Sequence, residues 1–369
     1  MGTMRSLDMF FPLRACLNVS GVGGAPMGWW RSFMIGRMLM GVGLAAVLAS
    51  GASAAGKPLF VYVSPNPIGV NDFLKFGKVG TERVAKELDG VAKTYESTDP
   101  TTERQNLEAA AKGGAAVVVA LGFEFTDMLP EVAAAHPDTK FLQIDACPFA
   151  NLKPNIYCSV FREYEPSYLA GAEAALTSKT GKVGVVGALD IPFMHRYTDG
   201  FLMGAKHAKP DIKLSPTLWV GGTNPFSDPA RAQERAAAMV ADGADRIFAA
   251  TGGGNAGVFK SVKEAPGVLS YGIDANQCPQ APGAIADNVE KHTDVAVELA
   301  IKGIMSGKQP QIAALGLKEG GMSLTGLGPD VATSKCEIAG DTATLDALKK
   351  LRDQIVSGEV KIDDPMLAK

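Results

Sequence analysis

Short apolar runs rich in β-branched residues alternate with longer helical patterns from residue 59 to residue 274, and this alternation leaves few folds open. Strands are expected over residues 59–64, 115–121, 141–145, 182–187, 216–220, 246–251 and 268–274. Helices are expected over 71–88, 102–112, 167–178, 228–241 and 255–263. The run Ala116-Val117-Val118-Val119-Ala120-Leu121 is apolar on both faces, as parallel strands covered by helices on both sides are. Repeated strand–helix units imply right-handed crossovers, so the expected class is α/β with doubly wound parallel sheets.

The series breaks once, near residues 145–166. Strands over 141–145 and 156–161 follow one another there with no helix between, and their connection holds Pro148 and Pro154. A chain leaving one sheet for another has this pattern, which makes the segment a candidate hinge between two lobes. A second return is expected near 284–289, a strand leading into a helix over 292–305, and a last helix is expected over 341–357. The expected division is residues 57–165 with 285–322 in an N-lobe and 166–284 with 323–369 in a C-lobe. Ligands of open parallel sheets bind beyond the carboxyl ends of the strands. Those ends carry Asn66, Asn71, Gly122, Asp145, Asp190, Asn224, the stretch 252–255, Asp274 and Asp287, which two facing lobes would bring to one cleft.

Residues 1–54 read as an N-terminal extension and signal peptide. Arg31 and Arg37 supply a positive n-region ahead of an apolar run of about ten residues, 38–48, too short to cross a bilayer, and Ala52-Ser53-Ala54 is a small-x-small cleavage pattern. The expected location is the periplasm, with Met27 or Met34 as an alternative start. Without this segment the chain holds 32 basic and 38 acidic residues, which argues against a nucleic-acid partner. Cys147, Cys158, Cys278 and Cys336 lie beyond the leader; export permits disulfides, and four cysteines allow three pairings. Cys147 with Cys158 would close a short loop and leave Cys278 with Cys336, while four free thiols are the other reading. No CxxC pair and no metal-type His spacing occurs, so neither a metal nor a cofactor is expected.

No GxSxG, HExxH, Walker or SxxK motif is present. Gly252-Gly253-Gly254-Asn255-Ala256-Gly257 does fit GxGxxG after a strand, and Asp274 ends the next strand. That motif supports an alternative function, an exported NAD-type oxidoreductase. Its late place in the chain favours instead a tight turn that lets backbone approach a helix or a ligand.

Residues 120–127, 137–145, 160–171, 179–184, 199–205, 272–277 and 357–362 together carry an ordered likeness spanning about residues 58–362. In these stretches the chain resembles the basic membrane protein family of bacterial ABC-transporter substrate-binding proteins, which includes purine nucleoside receptors. The resemblance implies a type I two-lobed periplasmic binding fold without catalysis, acting as a monomer with an inner-membrane ABC permease. It also implies a small polar ligand between the lobes, such as a purine nucleoside or nucleobase, its base stacked by aromatics and its ribose held by carboxylates and a lysine. Asn71, with Asp72 and Phe73 beside it, matches the Asn of the family's first motif, Asp145 the Asp ending the fourth strand, and Asp274 the Asp of Gly272-Ile273-Asp274. Lys291 matches the family's lysine, Gly253 and Gly254 its close-approach glycines, and Gly122 with Phe123 lies in its strand-to-helix segment. The family's aromatic before Asn71 is Val70 here, so the stacking ring must come from Phe73, Phe123, Trp219 or Phe226, or the ligand differs. A ligand-sensing domain for a membrane kinase would use the same cleft.

The chemistry of this set stands on its own. A carboxylate accepts two hydrogen bonds from a diol or from ring N–H groups, and a lysine beside two aspartates keeps them ionised in a poorly hydrated cleft. Each Asp has a plainer alternative role as a helix cap, and Phe123 and Phe125 as lobe core.

Overall fold

The computed structural model describes residues 56–367. The expected signal peptide and its cleavage pattern lie outside the described residues. Among those described, no helix is long and apolar enough to cross a membrane.

The chain begins with β1 (Leu59–Ser64), α1 (Asp72–Glu87), β2 (Val91–Glu96), α2 (Pro100–Lys112), β3 (Val117–Leu121), α3 (Leu129–Ala135), β4 (Lys140–Ile144) and β5 (Ile156–Phe161). It then crosses to a second lobe through α4 (Tyr164–Thr177), β6 (Lys182–Gly187), α5 (Pro192–Ala208), β7 (Lys213–Leu214) and β8 (Leu218–Trp219). That lobe continues with α6 (Pro229–Ala241), β9 (Arg246–Ala250), α7 (Asn255–Lys263), β10 (Leu269–Asp274) and β11 (Ile285–Lys291). The chain returns through α8 (Thr293–Met305) and β12 (Ile312–Leu315), then ends in β13 (Met322–Leu324) and α9 (Thr342–Ser357).

The first sheet has the order β12-β5-β4-β3-β1-β2 and is parallel throughout. The second has the order β13-β11-β10-β9-β6-β7, with β8 also on β6 and β13 antiparallel at the edge. The two orders correspond strand for strand, so β4 matches β10 and β5 matches β11. Interior strands such as β3 are buried at every residue because helices cover both faces, as their unbroken apolar sequences require.

Three differences from the sequence reading have physical causes. β11 pairs with β10, so Ile285–Lys291 belongs to the second sheet and the return to the first lobe falls after Lys291, not at residue 285. β2 was not expected; it is an edge strand whose residues are all exposed or half-buried, and its polar sequence reads as loop. The strand expected over 216–220 shrinks to Leu218–Trp219, because only those residues pair with β6. Both loop-closing disulfides form, Cys147–Cys158 and Cys278–Cys336, which selects one of the three possible pairings.

The second lobe buries two carboxyl groups together. Glu173 of α4 is fully buried, with Asp287 and Tyr271 as its side-chain neighbours. Asp287 of β11 is equally buried, and its Oδ1 accepts from the backbone N–H groups of Asn288 and Gly326, each at 2.8 Å. Burial raises Glu173 well above the usual carboxylate range, and the charge of Asp287 adds to it. Asp287 is pushed up to about 7 by its own burial. Both groups hold a proton more tightly folded than unfolded, so the stability they contribute is complete below about pH 4 and is lost as pH rises through 7. Glu173→Gln is therefore expected to match wild type near pH 4 and to exceed it by on the order of 2 kcal/mol at pH 8. Thermal melts at the two pH values check this, and a variant that tracks wild type at both contradicts it.

Candidate functional site

The carboxyl ends of both sheets open onto one cavity of about 400 Å³. The first lobe lines it with the turns after β1, β2, β3 and β4, and the second lobe with the segments after β6, β8 and β9 and the last residues of β10 and β11. Asp145 directly follows β4, and Asp274 is the last residue of the corresponding β10. Both adopt left-handed backbone, with φ of 77° and 72°, a conformation that non-glycine residues rarely take and that Asp tolerates better than most. Each strand therefore ends in an abrupt turn that leaves a carboxylate on the cavity wall.

Lys291, the last residue of β11, joins the lobes. Its side chain is buried, and its Nζ donates to Asp145 Oδ1 at 2.5 Å and to Glu163 Oε1 at 2.9 Å. Phe73, Phe161, Phe193 and Tyr197 surround the ammonium, with ring centroids 5.0–5.3 Å away. Burial would lower the Lys291 pKa, but Asp145 and Glu163 more than offset it and hold the lysine protonated well above its usual range. Burial pushes Glu163 upward against the attraction of Lys291. Asp274 is raised to about 7 by burial, with Lys291 opposing and Asp145 adding to the rise. Among the described residues no donor reaches the Asp274 carboxylate, which is left to face the cavity.

Apolar contact comes from rings of both lobes. Phe123 of the first lobe lies 6.5 Å from Phe193 and 6.2 Å from Phe226, centroid to centroid, and all three line the cavity. An acidic end, formed by Glu103 and Glu124, completes the first-lobe wall. Burial raises Glu124 to about 7, with the charges of Glu103 and Asp145 adding. Flat rings, free carboxylates and a caged ammonium can hold a small ligand with an aromatic face and hydrogen-bond donors.

Of the residues singled out from sequence, Asn71, Phe73, Gly122, Phe123, Asp145, Phe226, Asp274 and Lys291 line this cavity. Asn71 also caps α1 through Leu74 N, so its two readings coexist. Four residues stand elsewhere. Asp72 pairs with Lys75, and its other oxygen accepts from Gln280 Nε2 of the second lobe at 3.5 Å, outside the cavity wall. Trp219 packs against Gly187 and edge-on to His195, because the β8 pairing turns it that way. Gly253 and Gly254 form the turn into α7, and Gly252, at φ +59°, is the glycine of that turn that reaches the cavity. Gly257 serves packing: a Cβ there would stand 1.8 Å from the Pro229 carbonyl oxygen of α6. The glycine motif thus joins α7 to α6 and brings one backbone unit to the cavity wall. Val70 is 80% exposed, and Phe125 is lobe core.

Sequence reasoning missed Glu163, Phe193, Tyr197 and Glu124. Glu163 stands at the crossover into α4, where an acid reads as a helix start. Phe193 and Tyr197 lie on the first two turns of α5, just past the end of β6, where only Asp190 was singled out.

Residues 69–364 match the Bmp family, described as ABC transporter substrate-binding protein PnrA-like. The chain is 29% identical over 318 residues to the ABC transporter nucleoside-binding protein BmpA of Lactococcus lactis, covering 80% of this chain and 86% of that protein. It is 34% identical over 256 residues to an uncharacterised lipoprotein of Pyrococcus horikoshii, covering 66% and 62%. Among solved structures, a solute-binding protein of an ABC transporter system from Aeropyrum pernix K1 aligns with a TM-score of 0.73 at 26% identity, over 84% of this chain and 94% of that one. The two-lobed α/β architecture expected from sequence is thus that of solute-binding proteins, and the oxidoreductase alternative is not favoured. With most of its length matched, the chain belongs to the Bmp family of PnrA-like ABC-transporter substrate-binding proteins.

Proposed function

We propose that this substrate-binding protein captures a purine nucleoside or nucleobase between its lobes and hands it to an inner-membrane ABC permease. The observation that carries this reading is the meeting of Asp145, Asp274 and Lys291 with Phe123, Phe193 and Phe226 around one cavity of about 400 Å³. That volume suits a ligand of nucleoside size. In this reading the base stacks on the phenylalanines, a contact worth about 1–3 kcal/mol per base. The free Asp274 carboxyl accepts from the ribose hydroxyls, and Lys291, held between Asp145 and Glu163, opposes the rise that burial gives Asp274. The relative from Lactococcus lactis, named a nucleoside-binding protein, supports the ligand class. The leader-like sequence at residues 30–54 supports a periplasmic location.

A thermal-shift panel of nucleosides, nucleobases and sugars tests the reading. A ligand at a hundredfold excess over its Kd should stabilise the fold by about 2.7 kcal/mol. Purine nucleosides or bases should raise the melting temperature by several degrees and sugars should not. An Asp274→Asn variant should lose most of the nucleoside shift while melting no lower than wild type without ligand, since burial already raises the Asp274 carboxyl. A panel with no purine response removes the proposal.

A further inference from the structure

The first-lobe end of the cavity carries an acceptor with nothing to bind. Glu124 lies in the turn after β3, lines the cavity, and has a buried Oε2 with no hydrogen-bond partner. The carboxyl rests against Gly122, whose φ of +117° favours glycine and where a Cβ would stand 2.3 Å from Oε2. No cation answers it among the described residues lining this end. Glu103 beside it is also acidic and only 4% exposed, and Asp99 is engaged in capping α2. The ammonium of Lys291 is taken up by Asp145 and Glu163. Native proteins hold few buried oxygens without a partner, because such a group keeps its full desolvation penalty. One carried by a residue that lines a ligand cavity is accounted for when the ligand brings the donor.

Resting on the nucleoside reading above, we propose that Glu124 is the specificity residue of the cavity and accepts a hydrogen bond from an exocyclic amino group of the bound base. The carboxyl suits either amino-bearing purine edge. As the acid it donates to a bare ring nitrogen while accepting from the neighbouring amino group, and as the carboxylate it accepts from a ring N–H and an amino group together. Its neighbour Phe123 supplies the stacking face, so base and amino group are read by adjacent residues of one turn. A site built around a buried acceptor discriminates against an analogue that lacks the donor.

Calorimetric titration of the full chain with two nucleoside pairs tests this. Adenosine and purine riboside differ by one amino group, as do guanosine and inosine. Wild type should bind the amino-bearing member of at least one pair about tenfold more tightly. Glu124→Leu should bring both pairs within about threefold, by weakening the amino-bearing member while the other keeps its affinity. Its melting temperature without ligand should not fall, since burial already disfavours this carboxyl. Glu124→Gln is the second variant: its amide offers one acceptor and one donor, which fits adenosine and not guanosine. It should shift the preference toward adenosine by about fivefold or more. Wild type binding both members of each pair equally, or Glu124→Leu keeping the tenfold gap, or Glu124→Gln leaving the adenosine-to-guanosine ratio unchanged, overturns this role while leaving nucleoside binding intact. Wild type that binds none of the four nucleosides overturns the underlying reading as well.

Discussion

Lys291→Met is expected to destabilise the protein by about 3–5 kcal/mol at pH 8, the cost of removing one partner from a buried ion pair. Met fills nearly the same volume among the rings of Phe73, Phe161, Phe193 and Tyr197, so the loss is electrostatic more than steric. It leaves Asp145 and Glu163 buried without their ammonium, and Arg196, 3.6 Å from Glu163 and engaged with Asp364, replaces little of it. Glu163 is already raised by burial against the pull of Lys291, and removing the lysine frees that rise. An acid whose folded pKa exceeds its unfolded one is most stabilising below the unfolded value and loses that contribution as pH rises. The gap between variant and wild type should accordingly narrow by at least about 1 kcal/mol on going from pH 8 to pH 5. Urea unfolding at the two pH values measures it. Ligand binding should vanish at both, since the lysine connects β11 of one lobe to Asp145 of the other. A loss below about 1 kcal/mol at pH 8, or one that is equal at pH 5, would mean that the buried acids are satisfied by other means.

How far the sequence could be read follows from where each residue lies. β1, β3 and β6 are interior strands buried along almost their whole length, so their apolar runs stand out. Edge strands β2 and β12 alternate between exposed and half-buried residues and carry the composition of loops. The position of β11 was legible as a strand, but its sheet was not. Membership is decided by pairing with β10, a contact that no local pattern records. Asp145 and Asp274 were legible because strand ends in parallel sheets face the ligand side, and each ends or follows a strand, whereas Lys291 was legible only through the family resemblance. Glu163 and Phe193 belong to the first turns of helices, where an acid reads as a cap and a phenylalanine as core. Trp219 shows the reverse error. A large ring near a strand end suggested stacking, and a two-residue pairing with β6 turned it onto Gly187 instead.

Removing the Cys278–Cys336 bond should cost more than removing Cys147–Cys158, and both should weaken ligand binding. The bonds span 58 and 11 residues. Loop-closure entropy for those lengths corresponds to about 4 and about 3 kcal/mol of stability, respectively. Paired Cys→Ser variants, unfolded in urea, should lose stability in that order. The link to binding is positional. Cys147 lies two residues beyond Asp145, and Cys278 lies four beyond Asp274, so each bond anchors the segment that follows a left-handed aspartate. In the second lobe that segment is further tied down. Gln277 Oε1 accepts from Asn255 Nδ2 and from Ile273 N, and Asn288 Nδ2 contacts the sulfurs of both Cys278 and Cys336. Residues held in such backbone carry about 1–3 kcal/mol of strain that their surroundings must sustain. Released from the anchor, Asp274 can relax toward ordinary backbone and withdraw its carboxylate from the cavity. The expected result is a Kd weakened about tenfold in Cys278→Ser/Cys336→Ser, a loss of about 1.4 kcal/mol in binding, measured where the variant is still fully folded. Wild type treated with reductant should show the same weakening, reversed on reoxidation. Stability that falls while affinity holds would show that the bonds staple the chain without shaping the site, and that the hydrogen bonds of Gln277 and Asn288 suffice to hold Asp274 in place.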